Sequence, residues 1–169
     1  ARAAFEDACE TLYRKMHPNE HVSQVKVKQG DGGIDIFIGE FGVEPITVVQ
    51  CKFFLKSFDK YQHSQIRKSF NTAITANTYE LKGWTLCIPR LIDIGETAWW
   101  FNWKHKMINK HSKDKTFIKL TNGNELIDLF KEYDLYNQVF RMDDSVKLSE
   151  IHEELLHNEM KDTISVKNM

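Results

Sequence analysis

The sequence predicts an α/β domain with one central mixed sheet of about five strands, flanked by helices. Apolar residues recur at helical spacing in four segments, while five other segments alternate in polarity or are short apolar runs, as strands do. Along the chain these segments follow the order helix, three strands, helix, strand, helix, strand, helix. The length of 169 residues is that of one ordinary domain with its own core.

The first half of the chain is predicted to contain one helix and three strands. Apolar residues at helical spacing predict a helix over residues 3–17, which ends before Pro18. The other elements predicted here are strands at 22–28, 34–38 and 46–54, a glycine-rich turn at 29–33 and a hairpin loop at 39–45.

The second half is predicted to alternate helices and strands and to end in a separate segment. Its elements are a helix near 59–78, a buried strand at 84–88, a helix at 95–110, a strand at 116–120 and a helix at 123–133. The chain becomes acidic after about residue 140 and keeps a helical pattern. We therefore expect a folded domain over 1–139 and a linker or docking segment over 140–169 that leads to a further domain or partner.

The distribution of charge is uneven, although the net charge is only −1. Residues 52–119 carry 13 Lys or Arg and 5 Asp or Glu, whereas residues 120–169 carry 5 and 11. The central basic block is a candidate surface for phosphates, and a solvated lysine-rich surface explains it equally well. No apolar run is long enough to span a membrane, and the three cysteines form no CxxC pair. We expect a reducing, cytoplasmic setting without a disulfide scaffold.

The chemistry is concentrated in the second and third predicted strands. Side chains alternate between the two faces of a strand, so Gln50 and Lys52 share one face of the third strand. If these two strands form a hairpin, Asp35 on the second strand can lie close to both. A carboxylate, an amide and an ammonium group would then converge at the end of an otherwise apolar sheet.

Such a set suits metal-assisted hydrolysis of a phosphodiester. Mg²⁺ prefers oxygen ligands and is commonly held by one or two carboxylates and water, and Mn²⁺ can take the same place. Asp35 is the candidate anchoring ligand, with the side-chain oxygen of Gln50 and the backbone carbonyl of Cys51 as possible further ligands. Lys52 is the candidate catalytic cation, which would orient water and stabilise negative charge in the transition state.

The two strands resemble a known family. The segments GDGGIDIF and VVQCKFF resemble the motif strands of the PD-(D/E)xK nuclease superfamily, and specifically its Mrr-like restriction endonuclease branch, in which glutamine replaces the second acid. Phe5-Glu6 matches a Phe-Glu pair on the family's first helix, and FIKLTNGNELIDLF resembles its closing strand, turn and helix. By this resemblance Glu6 is a further metal-site carboxylate, although Glu10 lies on the same helical stripe.

The resemblance implies a restriction-endonuclease-like core and a metal-dependent DNA endonuclease. It also implies a bacterial setting, as the effector nuclease of a restriction or antiphage defence system. The expected partners are double-stranded DNA and a second copy of the chain, since cutting two strands needs two sites, or a regulatory or ATPase subunit. Basic side chains are candidates for the DNA backbone: Lys56, Lys60, Arg67, Lys68, Lys104 and Lys106.

Two other classes of function remain open from the sequence. A catalytically degenerate module with the same fold would bind nucleic acid without cutting it. An assembly module would dock another subunit through its aromatic residues, and for this role Trp100 is the candidate exposed residue within the run from Trp99 to Trp103. RNA or branched DNA would need the same catalytic groups, so the sequence does not choose among these substrates.

Overall fold

A computed structural model describes residues 2–25, 34–55, 57–139 and 152–160. The elements in chain order are α1 (Arg2–Met16), β1 (Val22–Gln24), β2 (Ile36–Ile38), β3 (Ile46–Cys51), α2 (Lys60–Ile74), β4 (Leu81–Cys87), α3 (Ile94–Lys110), β5 (Ile118–Thr121), α4 (Gly123–Glu132), α5 (Tyr136–Val139) and a last helix, α6 (152–160). The described order of helices and strands matches the predicted one. No helix among these residues is both long and apolar enough to cross a membrane.

The five strands form one mixed sheet in the order β1-β2-β3-β4-β5. The first three strands are antiparallel neighbours, whereas β3, β4 and β5 run parallel. Parallel neighbours require a crossover, and α2 and α3 supply the two crossovers. The predicted α/β class with a central mixed sheet is confirmed.

Helices cover both faces of this sheet and bury two separate apolar cores. On one face, α1 and α4 pack against side chains such as Ile36, Val49 and Cys87. On the other face, α2 and α3 pack against a larger cluster that includes Val48 and Trp84. β4 is buried on both sides for most of its length, as expected for a central parallel strand.

The boundaries of the two motif strands differ from the prediction. β2 begins at Ile36 rather than 34, and the side chain of Ile34 joins the core beneath α2 and α3 instead of following the alternation of the strand. β3 ends at Cys51 rather than 54, because the N–H of Phe54 donates to the carbonyl of Lys52 in a tight turn that leaves the sheet. The alternation of the strand therefore does not extend to Ile34.

The helix α6 packs onto the domain near the end of β3. Leu155 is buried against Phe53, Leu55, Leu91 and Ile127. Its methyl groups lie so close to α4 that a Cβ added at Gly123 would meet one of them at 2.4 Å. The predicted division at residue 139 stays a prediction, since most of 140–169 lies outside the described residues.

Candidate active site

Asp35 and Gln50 face each other at one end of the β2–β3 hairpin. Ile36 pairs with Val49 across the antiparallel strands, which places Asp35, directly before β2, opposite Gln50 of β3. The Nε2 amide of Gln50 donates to Oδ2 of Asp35 at 2.8 Å, and the backbone N–H of Cys51 donates to the same oxygen at 2.7 Å. Both side chains are almost fully buried, with 6% and 3% exposed.

Two acceptors at this site are not used by the described residues. Oε1 of Gln50 is buried and has no hydrogen-bond partner among them, and they supply no hydrogen bond to Oδ1 of Asp35. A buried acceptor without a partner is costly and rare. Both atoms are oxygens of the kind that hard divalent cations bind.

Burial dominates the electrostatics of Asp35. Desolvation raises its pKa from the usual 3.8 to about 6. The hydrogen bond from the N–H of Cys51 and the positive charges of Lys52 and Arg2 oppose this rise, whereas the negative charge of Glu6 adds to it. A carboxyl group whose pKa is raised by burial and that interacts with a specific cationic neighbour is a candidate for a functional site.

Lys52 follows β3 and lines a cleft of about 330 Å³. Its backbone N–H still donates to the carbonyl of Cys87, which fixes the start of the turn that ends β3. The side chain is partly buried, and desolvation lowers its pKa below the usual 10.5 although the charge of Asp35 acts in the opposite direction. The ammonium group therefore lies within electrostatic reach of the Asp35 carboxylate.

Glu6 projects from α1 toward the same site. It is 8% exposed, and its negative charge acts on both Asp35 and Lys52. Glu10 lines an acidic cavity together with Glu6 and pairs with Arg14. This geometry favours Glu6 over Glu10 as the second carboxylate.

The thiol of Cys51 lies away from this polar cluster. It is buried with Cys9 and Cys87 in the core beneath α1, and all three cysteines are free. Only the backbone of Cys51 therefore faces Asp35.

The described residues hold no group of three or more His, Cys, Asp or Glu side chains that could bind a metal. A cation here would be held by two carboxylates, the amide oxygen of Gln50 and a backbone carbonyl, a set of oxygens that suits Mg²⁺ or Mn²⁺.

The described candidate DNA contacts lie on two helices, α2 and α3. The first turns of α2 border the cleft, where Tyr61, Gln62 and Gln65 line the wall, and Lys60 begins that helix. Arg67 and Lys68 are exposed farther along α2, and Lys106 is exposed on α3. Lys104 lines a different cavity between α3, β5 and α4. Lys56 lies outside the described residues.

The expectation of an exposed Trp100 is wrong. Trp100 is 2% exposed and packs against Trp103, with ring centroids 5.3 Å apart. The next residue, Phe101, points outward and is 53% exposed. Consecutive helical positions point about 100° apart, and the buried face of α3 includes Trp100 but not Phe101.

Sequence reasoning missed Arg2. Its Nε donates to Oε1 of Glu6 at 3.0 Å, and its side chain lines the cleft with Lys52. It belongs to neither motif strand, and the only available signal was its position four residues before Glu6 on the same helix.

At one end of this mixed sheet, a buried aspartate is hydrogen-bonded to an amide, and a lysine directly follows the strand. Residues 2–85 match the family model of the Mrr-type restriction endonuclease catalytic domain. This part of the chain, which spans α1 to most of β4 and contains all four candidate catalytic residues, belongs to that family of nucleases. The resemblance to Mrr-like restriction endonucleases and the restriction-endonuclease-like fold are thereby confirmed, whereas glutamine as the replacement of the second acid stays a prediction. Neither the curated proteins nor the solved structures yielded a match to this chain.

Proposed function

We propose that this protein is a metal-dependent DNA endonuclease that hydrolyses phosphodiester bonds. The observation that carries the proposal is the buried contact between Asp35 and Gln50, with Lys52 within electrostatic reach of Asp35 and lining a cleft. Membership of residues 2–85 in a restriction endonuclease family supports the same chemistry.

Asp35 and Glu6 are the proposed carboxylate ligands of Mg²⁺ or Mn²⁺. Oε1 of Gln50 and the carbonyl of Cys51 complete the protein's share of the ligands. A bound divalent cation would polarise the scissile phosphate and lower the pKa of a coordinated water. Gln50 holds Asp35 in place through its amide group, so that the carboxylate keeps a fixed orientation before the substrate arrives.

Lys52 is the proposed catalytic cation. Lys52 lines the cleft, where its ammonium group would donate hydrogen bonds to a phosphate oxygen or to the attacking water. Negative charge grows on the phosphate oxygens in the transition state, and a partly desolvated ammonium stabilises it more strongly than an exposed one would. Desolvation lowers the pKa of Lys52, and the negative charge of Asp35 opposes this shift and favours the charged form.

The proposed substrate is double-stranded DNA, and the cleft wall formed by α2 provides the surface beside the site. The exposed basic residues Lys60, Arg67 and Lys68 lie on the same helix and would bind the DNA backbone. Cutting both strands requires two sites, so the working form is a dimer or larger assembly, or a complex with a regulatory subunit. We place this nuclease in bacterial restriction or antiphage defence by family resemblance.

The experiment is a cleavage assay on supercoiled plasmid, branched DNA and RNA, with Mg²⁺, Mn²⁺ or EDTA. We expect the plasmid to be nicked and linearised only with a divalent cation. Preferential cutting of RNA or branched DNA would keep the chemistry and change the substrate. Salt-dependent DNA binding that survives Asp35→Ala, without cleavage under any condition, would instead identify a degenerate binding module.

A further inference from the structure

Arg2 is a second cation beside the candidate site. Its Nε donates to Oε1 of Glu6 at 3.0 Å, while 66% of its side chain remains exposed. It lines the same cleft as Lys52, and its charge is felt by both Lys52 and Asp35. A ligand that enters the cleft would therefore meet the positive charges of both Arg2 and Lys52.

The cleft has the charge of an anion-binding surface. Its described lining consists of two basic side chains, neutral polar groups and apolar groups, and includes no carboxylate: Arg2, Cys51, Lys52, Phe53, Phe54, Leu55, Ser57, Tyr61, Gln62 and Gln65. Gln62 is already engaged in capping α2, where its Oε1 accepts from the N–H of Asp59. The two cations are thus the strongest available donors in the cleft.

We propose that Arg2 binds a backbone phosphate of the nucleic acid in this cleft, beside Lys52, and that its ion pair with Glu6 makes phosphate binding and cation binding interdependent. A guanidinium group presents five N–H donors in a planar fork that matches phosphate oxygens. Nε is used by Glu6, and the described residues accept no hydrogen bond from the two terminal amino groups. Those groups are the donors for phosphate. The inference rests on the proposed function, because it takes nucleic acid as the ligand.

The interdependence follows from the two roles of Glu6. A carboxylate that is shared with a guanidinium binds a divalent cation more weakly, because the guanidinium occupies one oxygen and repels the cation. Removing the guanidinium therefore strengthens cation binding and weakens phosphate binding. A residue with a merely structural role would weaken both or change neither.

The test compares Arg2→Gln with Arg14→Gln. Arg14 lies on the same helix, is similarly exposed and pairs with Glu10. It does not line the cleft that contains Lys52 but lines the acidic cavity that contains Glu10. DNA affinity is measured by fluorescence anisotropy with a short labelled duplex, in EDTA and over a range of salt concentrations. Mg²⁺ affinity is measured without DNA, from the cation-dependent shift of the unfolding temperature.

We expect Arg2→Gln to lower DNA affinity about tenfold. The salt dependence of DNA binding should also weaken by the amount expected for the loss of about one phosphate contact. We expect the same variant to bind Mg²⁺ about threefold more tightly. Arg2→Lys keeps the charge without the fork and should give an intermediate DNA affinity. Arg14→Gln should match the wild type in both measurements.

The result that overturns the inference is an equal response of Arg2→Gln and Arg14→Gln in a protein that binds both DNA and Mg²⁺. In that case the proposed function stands and Arg2 is an ordinary surface charge. A wild-type protein that binds neither DNA nor Mg²⁺ overturns the proposed function, and this inference with it.

Discussion

Gln50 donates its amide N–H to Oδ2 of Asp35 at 2.8 Å, and its own carbonyl oxygen is left buried without a partner among the described residues. The contact fixes the aspartate but does not relieve its burial, and the pKa of Asp35 stays raised to about 6. Burial of the ionised Asp35 in this pair therefore lowers the folding stability of the protein. Such a cost is expected where selection acts on binding or catalysis rather than on stability.

Asp35→Asn is expected to stabilise the protein at pH 7.5 in the absence of metal. The folded-state pKa is raised, so folding is penalised above about pH 6, where Asp35 is ionised, and the penalty fades as the pH falls toward 4. The rise from 3.8 to about 6 corresponds to a penalty on the order of 2–3 kcal/mol. The new amide can donate to Oε1 of Gln50 and keep an acceptor for the N–H of Cys51.

Chemical denaturation of wild type and Asp35→Asn at pH 7.5 and pH 4, in EDTA, checks this prediction. The difference in unfolding free energy should favour the variant at pH 7.5 and nearly vanish at pH 4. A variant that is less stable than the wild type at pH 7.5 would show that the ionised aspartate contributes to folding. Added Mg²⁺ should stabilise the wild type only.

Gln50→Glu is expected to strengthen Mg²⁺ binding and to weaken the metal-free fold. The added carboxylate supplies another hard oxygen ligand, but without a cation it repels Asp35 and loses the hydrogen bond to Oδ2. We expect a gain in Mg²⁺ affinity of about tenfold, which corresponds to about 1.4 kcal/mol. Calorimetric titration measures the affinity, and Gln50→Leu, which lacks any oxygen, is the matched control. Equal affinity in all three proteins would exclude residue 50 from the metal site.

Lys52→Ala is expected to lower the cleavage rate at saturating Mg²⁺ by about 100-fold or more while leaving the fold intact. The loss should appear in turnover, because the proposed role of the ammonium group is to stabilise charge that develops in the transition state. Lys82→Ala, which removes an exposed lysine of β4, is the control and should cut at the wild-type rate. Wild-type turnover in Lys52→Ala would remove Lys52 from the mechanism.

Leu155→Ala is expected to destabilise the domain by about 2 kcal/mol, because it opens a cavity between α6 and the segment that follows Lys52. Leu156→Ala is the matched control on the same helix, since that side chain is 45% exposed. Thermal unfolding of both variants measures the difference. Equal melting temperatures would indicate that α6 is not part of the cooperative unit.

The sequence was most informative where backbone pairing is regular. Strand alternation predicted Asp35 and Gln50 on one face of the sheet, and the register of the hairpin brings them into contact. Side chains alternate with a period of two, so the register of a short hairpin fixes which side chains share a face. The same rule misplaced Ile34, which lies two residues before the strand, whereas Asp35 directly precedes the strand and contacts Gln50 as expected. The catalytic roles assigned to these residues stay predictions.

Other parts of the site depend on tertiary contacts that local patterns do not encode. Arg2 reaches the cleft because α1 packs across the sheet near the end of β3, a placement that helical periodicity alone does not specify. Trp100 and Phe101 are neighbours of similar hydrophobicity, and only the orientation of α3 decides which of them is buried. The contact of Leu155 with Phe53 and Leu55 joins segments about 100 residues apart in the chain.

The most direct test of the central claim is cleavage of supercoiled plasmid by wild type and Asp35→Asn, side by side, with Mg²⁺ and with EDTA. The account predicts cutting by the wild type with Mg²⁺ alone, and no cutting by the folded variant under either condition. Equal cutting by the two proteins, or cutting by the wild type that persists in EDTA, would contradict a metal-dependent nuclease site built on Asp35.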